Sequence, residues 1–430
     1  FEPAAAAAVV PDAHDVPAAM RVLVRDALVQ VSRRPDGLRM RLLRTVRDLA
    51  LEGLAAEGEL AATRARHRRW YADRWRGAPR SDALLLDIRE NYADFVEALR
   101  TSLEDADADA VADLSIGLAR FWAFTEMVAS GLRWLDQVLA SDLLTDIERA
   151  RVLVMRGVLS LQVDADASER DLQAALPVLE NAADHTWLLT VHANLALLGL
   201  NRGQLDSAMR SGQRAVRLAQ EAGDPREADT TSGLALIQSI HAPDEAPTSI
   251  RRAWLLAIES RSAATLGTVA NNLFLAEAQL GDWAAAEALV EAAEERIAPH
   301  ETPLFLILVQ GWRELHRSRP EAALRRFAKI ARAGQDSPAD AKSAEVYAGA
   351  GCALAALGHP LARPLLEGAA ALIDRLDTSV MPWQRQLLDD ARASTAARGA
   401  PEPLAETTSV LGARLARIVI DADRQLTGQV

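Results

Sequence analysis

Residues 190–222, TVHANLALLGLNRGQLDSAMRSGQRAVRLAQEA, followed by Gly223-Asp224-Pro225, decide how the rest of the chain is read. In the first half Leu195, Ala196 and Leu198 fall at helical spacing. Gly203 stands where the chain must turn sharply, because a residue without Cβ takes the left-handed conformation cheaply. Ala208 and Ala215, five and twelve positions later, are small enough to let two antiparallel helices approach closely, and Leu205, Val216 and Leu218 add apolar area. The stretch therefore predicts a helical hairpin that stops at Gly223-Asp224-Pro225.

The same intervals recur in TVANNLFLAEAQLGDWAAAEALVEAAEERIAP, where Gly281, Ala286 and Ala293 repeat them and Pro299 closes the unit. Glycine with alanine at plus five and plus twelve is the signature of a tetratricopeptide repeat of ~34 residues. Ala246 and Ala253 keep the second-helix interval although the turn, HAPDEAP, has lost its glycine. Ser318 with Ala323, Gly358 with Ala370, and Gly131 upstream mark more divergent copies. The spacing runs nearer ~38–40 residues than 34, so the repeats are degenerate and enlarged. Half the residues are apolar and aromatics are 4%, which suits closely packed helices. The expected fold is all-α: a TPR-like right-handed superhelix of helical hairpins, preceded by a small winged-helix module with one β-hairpin.

That preceding module occupies residues 1–60. Helices are expected over 1–10 and 16–28, the second with Met20, Leu23, Val24 and Ala27 on one face. The period then changes to two: Val29 and Val31, then Leu38, Met40 and Leu42, flank the turn Arg34-Pro35-Asp36-Gly37. A helix follows from Thr45 as N-cap, with Val46, Leu49, Ala50 and Leu54 on one face. Linker helices and a first divergent hairpin are assigned to 61–140, and the repeat array to 141–430.

The sequence of 23–75, LVRDALVQVSRRPDGLRMRLLRTVRDLALEGLAAEGELAATRARHRRWYADRW, resembles the segment joining the nucleotide-binding core to the repeat sensor in bacterial STAND regulators with an NB-ARC core. These include the actinobacterial antibiotic regulatory protein family and large LuxR-type activators. The likeness continues through LLLDIRENYADFVEALRTSLE and LARFWAFTEMVASGLRWLDQVLA, covering about residues 1–140. It implies a transcriptional regulator in which an ATPase switch is restrained by winged helix and repeats and released when the repeats bind a signal. The family's Met-His-Asp triplet corresponds here to Leu42, Leu43 and Arg44; the histidine is missing and a base replaces the acid. Arg44 is left either as a charge-assisted donor to the phosphate of a nucleotide in that core or as a solvated residue at a helix start.

No G-x-x-x-x-G-K-[ST] occurs, and the only lysines are Lys329 and Lys342. Phosphoryl transfer needs a phosphate cradle with a lysine and a magnesium ligand. No cofactor is therefore expected in this chain, and ATP or ADP is expected only with an upstream nucleotide-binding core. Phe1 in place of methionine is read as a processed chain or a piece of a longer protein.

Other chemistry finds little support. Of eight histidines the nearest helical pair, His185 and His192, is seven apart without partners, so no metal site is expected. No G-x-S-x-G elbow is present, and the chain is not expected to be an enzyme. The acidic run EDADADAVAD fits a helix start. Cys352, the single cysteine, excludes an internal disulfide and suits the cytoplasm. No run of ~18 apolar residues points to a membrane, and a net charge of −12 argues against a nucleic-acid-binding surface overall.

Three functional surfaces remain. Arg64, Arg66, Arg68, Arg69, Arg74, Arg76 and Arg80 surround Trp70, Tyr71 and Trp75; they suit a helix docking on the nucleotide core, a partner surface, or nucleic-acid contact. The first helices of the repeats should line the concave face. There His192, Asn194, Asn271, Asn272, Phe274, Gln310 and Trp312 are candidates to bind a protein or small-ligand signal, or else to bridge neighbouring helices. The expected partners are that signal and an upstream NTPase core, with DNA reached only through a domain outside this chain, since SVLGARLARIVIDADRQLTGQV holds one amphipathic helix and no helix-turn-helix. Alternatives are a free-standing TPR adaptor, or DNA binding through the first module by Arg41, Arg44 and Arg47.

Overall fold

A computed structural model describes residues 1–10, 15–34, 37–75, 87–125, 127–161, 163–334, 339–395 and 407–427. The chain falls into two compact units, Phe1–Arg156 and Gly157–Val430.

In the first unit, α1 (Pro3–Val9) and α2 (Val16–Arg25) precede a hairpin of β1 (Val29–Arg34) and β2 (Gly37–Leu42). Asp15 caps α2 by accepting the Ala18 N–H at 2.9 Å. The strands pair antiparallel with Val29 opposite Leu42 and Val31 opposite Met40. The main chain of Phe1 exchanges two hydrogen bonds with Met40, at 2.9 and 3.0 Å. Pro35 and Asp36 of the expected turn lie outside the described residues. Next come α3 (Arg44–Ala56), α4 (Leu60–Trp75), α5 (Tyr92–Glu104), α6 (Ala108–Phe124), α7 (Val128–Ala140) and α8 (Asp146–Ser160), inside which the boundary between units falls. Thr45 is not the N-cap of α3: Leu43 holds that position in extended conformation, without a side-chain cap. The core of this unit contains Tyr71 edge-on to Phe95 at 4.8 Å, and Trp122, whose indole donates to the Tyr92 hydroxyl at 3.1 Å.

The second unit opens with α9 (Ala165–Asn181) and continues as hairpins: α10 (His185–Asn201) with α11 (Leu205–Ala222), α12 (Glu227–His241) with α13 (Ala246–Ser260), α14 (Ala263–Leu280) with α15 (Trp283–Glu294), α16 (Leu304–His316) with α17 (Pro320–Ala333), and α18 (Ala341–Ala356) with α19 (Ala362–Arg375). Two further helices follow, α20 (Pro382–Thr395) and α21 (Thr408–Thr427). Gly203 and Gly281 turn their hairpins with φ of 68° and 86°, and Ser318 takes the equivalent place with φ of 57°. Ala208, Ala246, Ala286 and Ala323, the first small residues of their second helices, are fully buried.

The direction of curvature follows from who touches whom. First helices α10, α12, α14, α16, α18 and α20 each pack on the next, whereas the second helices α11, α13, α15 and α17 pack mainly on first helices. A stack closes on the side where its helices crowd, so the first helices line the inner face. Helix α21 lies on the opposite side, against α17 and α19.

The packing leaves little room for added atoms. A Cβ on Gly349 would stand 2.4 Å from the buried Phe327 ring, which cannot yield. Gly233, inside α12, has nothing within 4 Å. Gly349→Ala should destabilise by about 1–3 kcal/mol, while Gly233→Ala should stabilise by up to about 1 kcal/mol through helix propensity. Urea unfolding followed by circular dichroism checks both.

Candidate functional site: the inner face of the repeat unit

The candidate residues do lie on inner helices: His192 and Asn194 on α10, Asn271, Asn272 and Phe274 on α14, Gln310 and Trp312 on α16. Their surroundings differ. Asn194 is occupied by its own helix, donating to the Thr190 carbonyl at 2.8 Å. Asn272 bridges to the preceding inner helix by donating to Ser232 Oγ at 3.0 Å, and Asn271 donates to Asn272 Oδ1 at 3.1 Å. Gln310 donates to Glu294 Oε1 at 2.8 Å. Phe274 and Trp312 are buried, and Trp312 Nε1 donates to Glu345 Oε1 at 2.9 Å. Burial, reinforced by Arg214 and Arg217, lowers the pKa of the half-buried His192, which is therefore neutral at pH 7.

Unsatisfied oxygens occur on three of the first helices. Asp229 Oδ1 and Thr231 Oγ1 on α12, Asn271 Oδ1 on α14 and Gln310 Oε1 on α16 are all buried without a hydrogen-bond partner. Each such atom costs about 1–3 kcal/mol relative to a paired one. Asp229 shows the strain most plainly: burial raises its pKa to about 6 against the opposing pull of Arg226.

The repeat intervals do not foretell an aromatic group on the same row of helices. Trp383, one residue into α20, meets Trp283 at 5.1 Å, Trp312 at 5.4 Å and Phe274 at 6.4 Å between ring centroids. Trp283 also stacks on His316 at 3.8 Å. The irregular residues leading to Trp383 are tied to the end of α10, and Gln384 just after it to α18. Arg202, at the end of α10, donates to Asp377 Oδ2 at 2.7 Å and to Glu169 Oε2 at 2.6 Å, and also pairs with Asp166. Ser379 Oγ donates to the Leu200 carbonyl at 3.4 Å, and Gln384 Nε2 to Glu345 Oε1 at 2.6 Å. Burial raises the Glu345 pKa, opposed by its Gln384 and Trp312 donors.

In the first unit Arg44 is exposed at the start of α3. Three arginines of α4 are paired with carboxylates of the same unit. Arg68 pairs with Asp105 and Asp107, Arg74 with Glu2 and Asp87, Arg64 with Glu104 and Asp105, and Arg66 donates to the Val9 carbonyl. Arg69 is exposed, and Arg76 and Arg80 lie outside the described residues. Among the described residues no group of three or more His, Cys, Asp or Glu could hold a metal ion, and no helix is long and apolar enough to cross a membrane.

Repeated helical hairpins with an inner row of first helices make this a TPR-like repeat protein. No protein-family model and no curated protein matches the chain. Among solved structures it is similar to the crystal structure of a Rap protein complexed with competence and sporulation factor. The TM-score is 0.52 at 14% identity, over 84% of this chain and 99% of that one. The likeness is one of fold.

The Asp229 carboxyl provides a check on the cost of these oxygens. Its folded pKa of about 6 exceeds the unfolded value near 4, so the folded chain keeps a proton that the unfolded chain releases in between. Stability should therefore fall as pH rises from about 4 to 6 and stay reduced above. Asp229→Asn should raise stability at pH 7 by about 1–3 kcal/mol and change little near pH 3.5, as read by urea unfolding at both pH values.

Proposed function

We propose that the repeat unit is a sensor whose inner face binds an extended peptide or a small ligand rich in N–H donors, and that it serves as the sensor region of a STAND-type transcriptional regulator. The observation carrying the first part is the row of buried, unpartnered oxygens on α12, α14 and α16. An extended peptide presents backbone N–H groups at short regular intervals and can meet several such acceptors at once. The solved structure of similar fold, complexed with competence and sporulation factor, supports a signal-binding role for this architecture. The resemblance of residues 1–140 to the core-to-sensor segment of STAND regulators supports the second part.

In this reading the ATPase switch and the DNA reader lie outside the chain, in the cytoplasm, and Arg44 faces the nucleotide phosphate of that upstream core. The ligand acts by preferring one arrangement of the repeats. Moving the switch from 1:99 to 99:1 takes about 5.5 kcal/mol of differential affinity. Four unsatisfied acceptors, at about 1–3 kcal/mol each, offer a source of that order provided they are satisfied in only one arrangement.

Display of random decapeptides against the full chain tests the sensor. Enriched peptides should bind about tenfold more weakly to Asn271→Ala, the loss of one hydrogen bond to a buried group, with its thermal transition checked in parallel. Failure to enrich any peptide, or enriched binding indifferent to inner-face substitutions, would sink the idea. The switch is tested by reading the gene upstream of the Phe1 codon. An in-frame P-loop with a Walker B aspartate is expected; a start codon immediately before Phe1 contradicts it.

A further inference from the structure

Residues 377–384, DTSVMPWQ, leave α19 through Asp377, whose φ of 46° turns the chain out of the helix. They then run without regular structure to the start of α20. One end is tied by Asp377 and Ser379 to Arg202 and Leu200 of the first hairpin. The other inserts the Trp383 ring among Phe274, Trp283 and Trp312. Through this end α20, packed on its neighbour α18, also touches α14. The segment thus joins the end of α10 to the aromatic group of α14, α15 and α16.

Met381 and Gln384 anchor its far end in the core, Gln384 donating to Glu345 Oε1 at 2.6 Å, while the rest of its attachment is weaker. The Asp377 side chain is 61% exposed, so water and salt weaken its pairing with Arg202. The Ser379 bond is long at 3.4 Å. The Trp383 ring is inserted but its Nε1 is buried without an acceptor, so the socket takes the ring and leaves its donor unpaired. Arg202 is held by Asp166 and Glu169 whether or not Asp377 is present, so its position survives departure of the segment.

We propose that residues 377–384 are a built-in pseudo-ligand, and that the signal is a peptide of the same chemistry: an acidic residue that reaches Arg202, followed about six positions later by an aromatic side chain that replaces Trp383 in the Phe274–Trp283–Trp312 socket. This deepens the sensor reading above and rests on it. Binding of such a peptide expels the segment, frees α20 from α14 and so couples occupancy of the face to the arrangement of the repeats.

The test uses a fluorescein-labelled peptide with the sequence of residues 376–386, LDTSVMPWQRQ, and anisotropy titrations of the whole 430-residue chain. Removing the internal competitor raises the fraction of open sockets, so Trp383→Ala should bind the peptide at least tenfold more tightly than wild type. Adding Arg202→Ala to that variant should weaken binding again. Equal affinity of wild type and Trp383→Ala overturns the proposal. Should Trp383→Ala lose its helical circular dichroism, Asp377→Asn decides, because it alters only an exposed carboxylate; a tighter titration than wild type supports the proposal and an unchanged one overturns it. If display-selected peptides bind while this peptide binds neither chain, the inference alone fails. If neither kind binds, the sensor reading fails with it.

Discussion

Close approach of helices at positions without side chains is the constraint on which the repeat unit depends. A Cβ on Gly199 would lie 3.1 Å from Ala208, so the two helices of the first hairpin are as near as their backbones allow. Farther along, one ring does the same for three helices. Phe327 of α17 fills the space left by Gly311 of α16 and by Gly349 of α18, where added carbons would stand 2.6 and 2.4 Å away. Interiors packed this tightly have few ways to deform gradually, and rearrangement proceeds by exchange of whole contacts.

Crowding the first helices on one side has a chemical consequence. Polar residues that would be solvated on an isolated helix are enclosed by their neighbours, and some lose water without gaining a partner. Asn272 finds Ser232, and Trp312 finds Glu345. Asn271, Gln310, Thr231 and Asp229 keep an oxygen unsatisfied. Such groups stabilise nothing in the resting chain.

The repeat architecture was legible because its determinants are local. A glycine and two alanines at fixed intervals state where a hairpin turns and where its helices touch, and Ser318 at the expected place adopts the left-handed turn although it is not glycine. The β-hairpin was legible for the same reason, through its period of two. The N-cap of α3 was misplaced by two residues because Thr45 has the right chemistry while the backbone enters the helix at Leu43. Non-local matters stayed hidden. Nothing within 60–80 says that its arginines meet Glu2, Asp87, Asp105 and Asp107. Nor does any interval say that Asp377 returns to Arg202 across 175 residues. Phe274 and Trp312 lie on first helices as their intervals imply, yet only the structure places Trp383 against them.

Hydrogen exchange resolved by mass spectrometry, on the full chain with and without an excess of the 376–386 peptide, tests the account most directly. Faster exchange is expected within residues 377–384, expelled from their seat. Slower exchange is expected on α12, α14 and α16, where the peptide supplies the missing donors. Protection confined to the outer helices α17, α19 and α21, or exchange of 377–384 unaltered at saturating peptide, would contradict it.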